Sequence, residues 1–303
     1  MRVALIIPTR NAGAHLDRLL PAIAMQTLQP DEFLVVDSAS RDDTVVRLRA
    51  AGARVEVIEP TQFNHGGTRR WASELVDADT LIYLTQDAIP ARADTFANIV
   101  TDLHAEVGIG VAYGRQLPHP DAGLLGAQSR HFNYPAQSRT KCMNDAPELG
   151  IKTCFSSDSF SAYKYEALLA VGGFPDDVIG SEDAYVAARM LLSGYAVRYA
   201  ADAMVHHSHD YTMFEEFRRY FDIGVFYGRE NWIRQAFGAA GGEGLRYVKA
   251  EIAALRRAGA LYRLPEVVLR SAMKLAGYRL GQVEEQLPLS IKRRVSMFSG
   301  YWR

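Results

Sequence analysis

Val3–Asn11 reads VALIIPTRN. Five apolar residues run without a break, and Pro8 closes them. A run this short and continuous reads as a strand buried on both faces. The same unit returns three times, as FLVVD (Phe33–Asp37), VEVIE (Val55–Glu59) and TLIYL (Thr80–Leu84). Between these runs the spacing is helical. AHLDRLLPAIAMQ follows the first and SRDDTVVRLRAAG (Ser40–Gly52) the second, and after the third NHGGTRRWASELV reads as a glycine loop feeding a helix. Asp42 and Asp43 near the start of one helix and Gly52 at its end fit the usual preferences of helix termini. Short apolar strands alternating with helices predict a parallel sheet covered on both faces, with right-handed crossovers. In such sheets ligands sit at the carboxyl ends of the strands. The residues to inspect are therefore Pro8, Thr9, Arg10 and Asn11, then Asp37, the segment after Glu59, and Gln86 with Asp87.

Further along, residues 108–165 are less regular, and QLPHPDAGLLG and NYPAQSRT read as loops. Helical spacing returns in YEALLAVGGF and EDAYVAARMLLSG, followed by a strand, YAVRYA. From Thr212 onward the chain reads almost wholly helical. The 303 residues, 48% hydrophobic and 23% charged, describe an ordinary soluble globular protein with room for a sizeable core. A net charge of −1 gives no reason to expect nucleic acid. Cys142 and Cys154 lack a zinc or redox spacing and read as two reduced cytosolic thiols. No apolar run approaches the roughly 18 residues of a membrane span, and VALII is too short for a signal segment. Charge is unevenly spread: residues 243–303 carry 12 Lys/Arg against 5 Asp/Glu, leaving the rest acidic. A basic segment of this kind hints at a surface that meets anions.

Several groupings bear on chemistry. Asp37 ends the second strand; alone, it reads as a turn or cap residue. No GxGxxG follows the first strand, which weighs against a nicotinamide enzyme. In FNHGGTRRWA, Gly66 and Gly67 permit close backbone approach to a ligand, and Arg69 and Arg70 follow at a helix start. This suits a diphosphate, or equally a turn with solvated arginines. Asp87, in TQDAIP, is a lone carboxylate where the fourth strand surfaces. Glu182 and Asp183 open a helix, where negative charge is favoured. VHHSHDYT places three histidines in four positions, with Asp210 beside them. LRYVKAEIAALRRAGALYR alternates apolar and basic positions, as a helix does on an anionic bilayer or when packed with a solvated basic face.

Taken in order, IIPTRN, QTLQPDEFLVVDSASRDDT, FNHGGTR, Thr85-Gln86-Asp87 and GGF…Glu182-Asp183…Gly194-Tyr195 resemble the family 2 glycosyltransferases, in particular their rhamnosyltransferase branch. The resemblance covers roughly residues 1–215, and KRRVSMFSGYW extends it less specifically. It implies an α/β fold of GT-A type: a mostly parallel, Rossmann-like twisted sheet flanked by helices, with a helical extension over 216–303. It implies a nucleotide-diphospho-sugar donor, with dTDP-L-rhamnose favoured and UDP-sugars the alternative. Pro8, Thr9, Arg10, Asn11 and Asp37 would surround the nucleotide, with Asp37 accepting the N3–H of the base. Gly66, Gly67, Arg69 and Gln86 would face the donor. Asp87 stands as the last residue of the family's Asp-x-Asp, here Thr85-Gln86-Asp87, and would hold Mg²⁺ or Mn²⁺ with His207 or His209. Asp210 would orient one of those histidines. Asp183, beside Glu182, would be the general base of an inverting transfer. The acceptor implied is a bacterial surface saccharide linked to a polyprenyl diphosphate. The location implied is the cytoplasm, on the inner face of the inner membrane. A sugar nucleotidyltransferase and an inactive nucleotide-sugar-binding scaffold are the rival readings; the missing first Asp favours the scaffold, and the retained Asp183 opposes it.

Overall fold

The computed structural model describes residues 1–238 and 242–302. The opening stretch forms β1 (Val3–Thr9), which continues past Pro8. Its pairing with the fourth strand ends at Ile6, so Pro8 lies where β1 is paired on one side only. That is where a strand tolerates a residue without an N–H. The alternation then runs as expected: α1 (Gly13–Ala24), β2 (Glu32–Asp37), α2 (Thr44–Ala50), β3 (Arg54–Val57), α3 (His65–Glu74) and β4 (Thr80–Leu84). These four strands are mutually parallel, in the order β3-β2-β1-β4.

The region that reads as irregular supplies the other half of the sheet. After β5 (Ile89–Pro90) and α4 (Thr95–His104) come β6 (Ile109–Leu117), α5 (Leu124–Asn133), β7 (Arg139–Lys141), α6 (Ala146–Leu149) and β8 (Phe160–Lys164). α7 (Tyr165–Ala170), α8 (Glu182–Leu192) and β9 (Ala196–His206) complete it. β8 lies antiparallel between β4 and β6, β9 runs parallel to β6, and β5 and β7 pair antiparallel with β9. The nine-stranded sheet is therefore mixed beyond β4. Gly110 and Gly114 hide β6 from a reading of apolar runs. Gly114 sits at a register shift, and a Cβ there would fall 2.6 Å from the Ala203 carbonyl. β9 outruns its apolar stretch: it continues to His206, opposite Ile89.

Apolar side chains fill both faces. One layer joins β1, β4 and β9 to α1 and α4, where Phe96, Ile99, Val100 and Leu103 keep helical spacing. The other joins Tyr83, Tyr163 and Phe174 to α8 and continues into Phe221, Val225, Phe226 and Trp302 of the helical region. That region comprises α9 (Met213–Arg229), α10 (Asn231–Phe237), α11 (Glu243–Arg257), α12 (Leu264–Gln282) and α13 (Leu289–Val295). α9 and α12 touch backbone to backbone: a Cβ on Gly224 would lie 2.2 Å from Tyr278 O, and one on Gly281 2.1 Å from Phe221 O. Among the described residues no helix is long and apolar enough to cross a membrane.

Candidate active site

Leu84, the last residue of β4, pairs with Phe160, the first of β8. Asp87, just after β4, and Asp158, just before β8, thus flank one edge of the sheet. The β5–β9 pairing brings the end of β9 to the same edge, and with it the histidine run. His207 Nε2 lies 3.3 Å and His209 Nε2 3.5 Å from Asp87 Oδ2, and the two imidazole nitrogens are 3.1 Å apart. The three ligand atoms fall within 4.8 Å of one another. Both histidines, alternatives from sequence, are therefore brought to Asp87.

The proton positions follow from the neighbours. Arg130 Nη1 donates to Gln116 Oε1, and arginine only donates, so the atom it faces is the amide oxygen. His207 Nδ1, 2.9 Å from that same oxygen, must carry the hydrogen. Its Nε2 then points its lone pair at Asp87 unless a second proton sits there. Without a proton or a cation between them, three electron-pair donors would converge. Two imidazoles and a carboxylate fit a divalent transition-type cation well. Burial would raise the Asp87 carboxyl, but hydrogen bonding and charge from His207, then Thr85 and His209, take it well below the usual range. Burial, helped by His207, pushes His209 down to about 4, which keeps it neutral and able to ligate.

A second carboxylate group lies nearby and is built differently. Ser181, in the left-handed conformation at φ 60°, turns the chain into α8, so Glu182 and Asp183 occupy its first turn. Asp183 accepts from the backbone N–H of Ala184 at 2.7 Å and of Asp158 at 3.3 Å. Asp158 is fully enclosed and accepts from Ser161 and Tyr163, both at 2.7 Å. Burial, then the charges of Glu182 and Asp158, pushes Asp183 up to about 8. Arg69 Nη1 meets Glu182 at 2.8 Å and Arg69 Nε lies 3.5 Å from Asp158.

The first two strand ends form the third part. Asp37 is fully buried and accepts from Thr9 Oγ1 at 2.7 Å, Ser40 N at 2.7 Å and Ser40 Oγ at 2.6 Å. Ile6, Pro8, Val36, Thr68, Arg69 and Ala72 line a small gap beside them. Asn11 (φ 49°) and Ala39 (φ 50°) hold uncommon backbone conformations in the adjoining loops, joined by Asn11 N to Ser40 Oγ at 2.7 Å. With Ser181, these are the described non-glycine residues at positive φ, and strain of this kind gathers at functional sites. Gln86 pairs with the Arg10 backbone at 2.8 and 3.2 Å, tying the β1 loop to the β4 loop.

Three expectations are placed elsewhere. Gly66 and Gly67 lie in the first turn of α3, not in a loop, and a Cβ on Gly66 would meet the Pro175 carbonyl at 1.8 Å. The close approach that glycine allows is to that carbonyl. Arg69 is only 5% exposed, with its donors turned to Glu182, Asp158 and the His65 carbonyl. Asp210 does not orient a histidine: it accepts from Gly123 N at 2.8 Å, at the start of α5. Gln116 holds His207 instead. Gln116, Arg130, Asp158 and Arg219 escape a reading of the sequence, since none falls in a recognisable spacing. Arg219 donates to Tyr211 O–H at 3.2 Å, and Tyr211 stacks on His209 at 5.0 Å. Neither Arg130 nor Arg219 is ion-paired to a carboxylate among the described residues.

The model for glycosyl transferase family 2 matches residues 4–172. The chain is 45% identical over 304 residues to the O-antigen chain rhamnosyltransferase RfbN of Salmonella typhimurium, covering 100% of this chain and 96% of that one. It is 43% identical over 300 residues to the O-antigen chain rhamnosyltransferase WbaN of Salmonella anatum, covering 98% and 95%. Among solved structures, the mannosyltransferase PcManGT of Pyrobaculum calidifontis, in complex with GDP-Man and Mn²⁺, is similar at TM-score 0.64 and 21% identity over 94% of this chain and 88% of that one. S. aureus TarS 1–349 with UDP-GlcNAc gives 0.54 and 16%, over 94% and 92%. These likenesses show the GT-A fold. By the family match and the two full-length relatives, the chain belongs to glycosyltransferase family 2.

Proposed function

We propose that this glycosyltransferase moves L-rhamnose from dTDP-L-rhamnose onto a growing O-antigen saccharide carried on a polyprenyl diphosphate, by one inverting displacement. The names of the two full-length relatives support the sugar and the acceptor class. The observation that carries the reading is the placing, on one sheet edge, of the converging Asp87, His207 and His209 side chains and of Asp183, with burial raising the Asp183 carboxyl while the histidines hold Asp87 ionised.

Thr9, Asp37 and Ser40 shape the floor on which the nucleoside rests. Gln86 keeps the Arg10 and Asn11 loop in register with Asp87. Asp87, His207 and His209 would hold Mg²⁺ or Mn²⁺, which, when bound, neutralises charge on the leaving nucleoside diphosphate. Arg130 and Arg219, cations without carboxylate partners, face the same diphosphate and take the part expected of Arg69. Arg69 acts inside the protein, neutralising Glu182 and Asp158 so that Asp183 keeps its place. Asp183 takes the proton of the acceptor hydroxyl as that oxygen bonds to the anomeric carbon. The bond to the diphosphate breaks, and its electron pair leaves with the diphosphate. A positioned base of this kind contributes about 10²–10⁴ in rate. No covalent sugar–enzyme intermediate forms, so no nucleophile is required.

A polyprenyl-linked acceptor requires the enzyme to work at the cytoplasmic face of the inner membrane. The support is the outer face of α12, where Leu264, Val268, Leu269 and Leu275 are exposed and the neighbouring turn bares Leu261 and Tyr262. Arg256 and Arg257 at the end of α11 and Arg279 near the end of α12 are also exposed. Exposed apolar residues together with cations suit an anionic bilayer surface. α11, the helix singled out from sequence, buries Ala254 and Leu255 and presents its basic side.

A thermal-shift screen across dTDP- and UDP-sugars, with and without Mn²⁺, tests the donor. The largest stabilisation is expected for dTDP-L-rhamnose with Mn²⁺. An equal or larger shift with a UDP-sugar moves the donor to that rival.

A further inference from the structure

The last residues of the chain return to the catalytic edge as a loop pinned at both ends. On the near side, Arg218 Nε donates to Ser296 O at 2.8 Å and Asp222 Oδ2 accepts from Met297 N at 2.7 Å. On the far side, Tyr301 O–H donates to the Asp177 carbonyl at 2.7 Å and Arg293 Nε to Trp302 O at 2.9 Å, with Trp302 buried. Between the pins, Phe298, Ser299 and Gly300 are exposed.

The tip lies against the loop that delivers the base. The Phe298 ring sits edge-on to His65, with centroids 4.6 Å apart and planes at 71°. A Cβ on Gly180 would lie 3.3 Å from the same ring, and Gly180 is three residues before Asp183. Phe298 is nonetheless 38% exposed. It is held firmly on one side and left open on the other, against the loop that leads into α8 and Asp183. Asp176 and Asp177, on the same loop, are exposed carboxylates. An aromatic face takes the C–H side of a pyranose ring, and carboxylates accept its hydroxyl protons.

Resting on the reading of Asp183 as the base, we propose that the tail tip builds the acceptor subsite: Phe298 stacks on the terminal pyranose of the acceptor, and Asp176 and Asp177 accept its hydroxyls. The tail is then part of the substrate site, and Phe298 is a specificity-determining residue.

The test uses the full chain, with membranes from a strain lacking it as the source of accumulated acceptor and labelled dTDP-L-rhamnose as donor. Phe298→Ala should raise the apparent KM for membranes by about tenfold. Its kcat, and nucleotide affinity by calorimetry with Mn²⁺, should stay within about twofold. Phe298→Trp and Phe298→Tyr should restore KM. An unchanged KM in Phe298→Ala overturns the subsite. So does a loss that falls equally on nucleotide affinity and melting temperature and is not rescued by the aromatic variants, which would make Phe298 a structural wedge. A wild type that binds nucleotide yet transfers nothing to these membranes refutes the reading of donor and acceptor, and the subsite with it.

Discussion

Asp87 and Asp183 stand at the same edge of one sheet, and their surroundings treat them oppositely. Asp87 faces two imidazoles and is held ionised. Asp183 faces Glu182 and Asp158 in a closed site and is pushed into the neutral range. In the proposed mechanism one residue type thereby takes two parts, an anion for a cation and a base for the acceptor hydroxyl. The proposed division of roles rests on environments that drive two titratable groups apart in this way. The two groups are also built from different supports. The Asp87 group is completed by a strand that outruns its apolar pattern. The Asp183 group is completed by a buried arginine taken from a helix start.

The strongest way to break this contrast is to neutralise the base. Asp183→Asn should lower kcat by about 10²–10⁴ while leaving nucleotide affinity nearly unchanged. Only the ionised carboxylate can accept a proton, and its pKa is raised, so the wild-type rate should climb with pH and level off above about 8. A flat profile from about pH 6 to 9 contradicts the raised base. A smaller effect sharpens the other side. Gln116→Leu removes the acceptor that fixes the His207 tautomer and should weaken Mn²⁺ affinity by about 10–100-fold, read by calorimetry, with the fold intact by circular dichroism. Unchanged affinity means that His207 is not oriented through Gln116. The smallest effect lies outside both groups, on the bared apolar face of α12. Leu264→Ser combined with Leu269→Ser should reduce flotation on anionic vesicles by roughly half while leaving nucleotide affinity alone. Equal flotation would leave that face without a role at the membrane.

Much of this was legible in the sequence, and the reasons differ by element. β3, exposed at Arg54 and Val57, is read from its place in the alternation, whereas β1, β2 and β4 announce themselves because a buried strand must be apolar almost without interruption. β6 and β8 do not, because Gly114 is demanded by contact with Ala203 and β8 carries the polar Ser161 and Lys164. Both depend on partners distant in the chain. At the site, motif and order single out Asp87, Asp183 and the histidines, and the structure brings both His207 and His209 to Asp87. Gly66 and Arg69 read as an anion cradle because two glycines before an arginine look like one, while the structure turns both toward groups of the protein itself. The Pro175 carbonyl and the Glu182 carboxylate, over a hundred residues later, occupy that space. Gln116 carried no signal, since a glutamine on a strand has no pattern until its partners are in place.

The division of labour is tested most directly by calorimetry of dTDP binding, with and without Mn²⁺, to wild type, Asp87→Ala and Asp183→Asn in parallel. Asp183→Asn should bind as wild type does, keeping the full gain from Mn²⁺. Asp87→Ala should bind dTDP with no gain from Mn²⁺. If Asp87→Ala keeps that gain, or Asp183→Asn loses it, the two carboxylates do not hold the roles assigned to them.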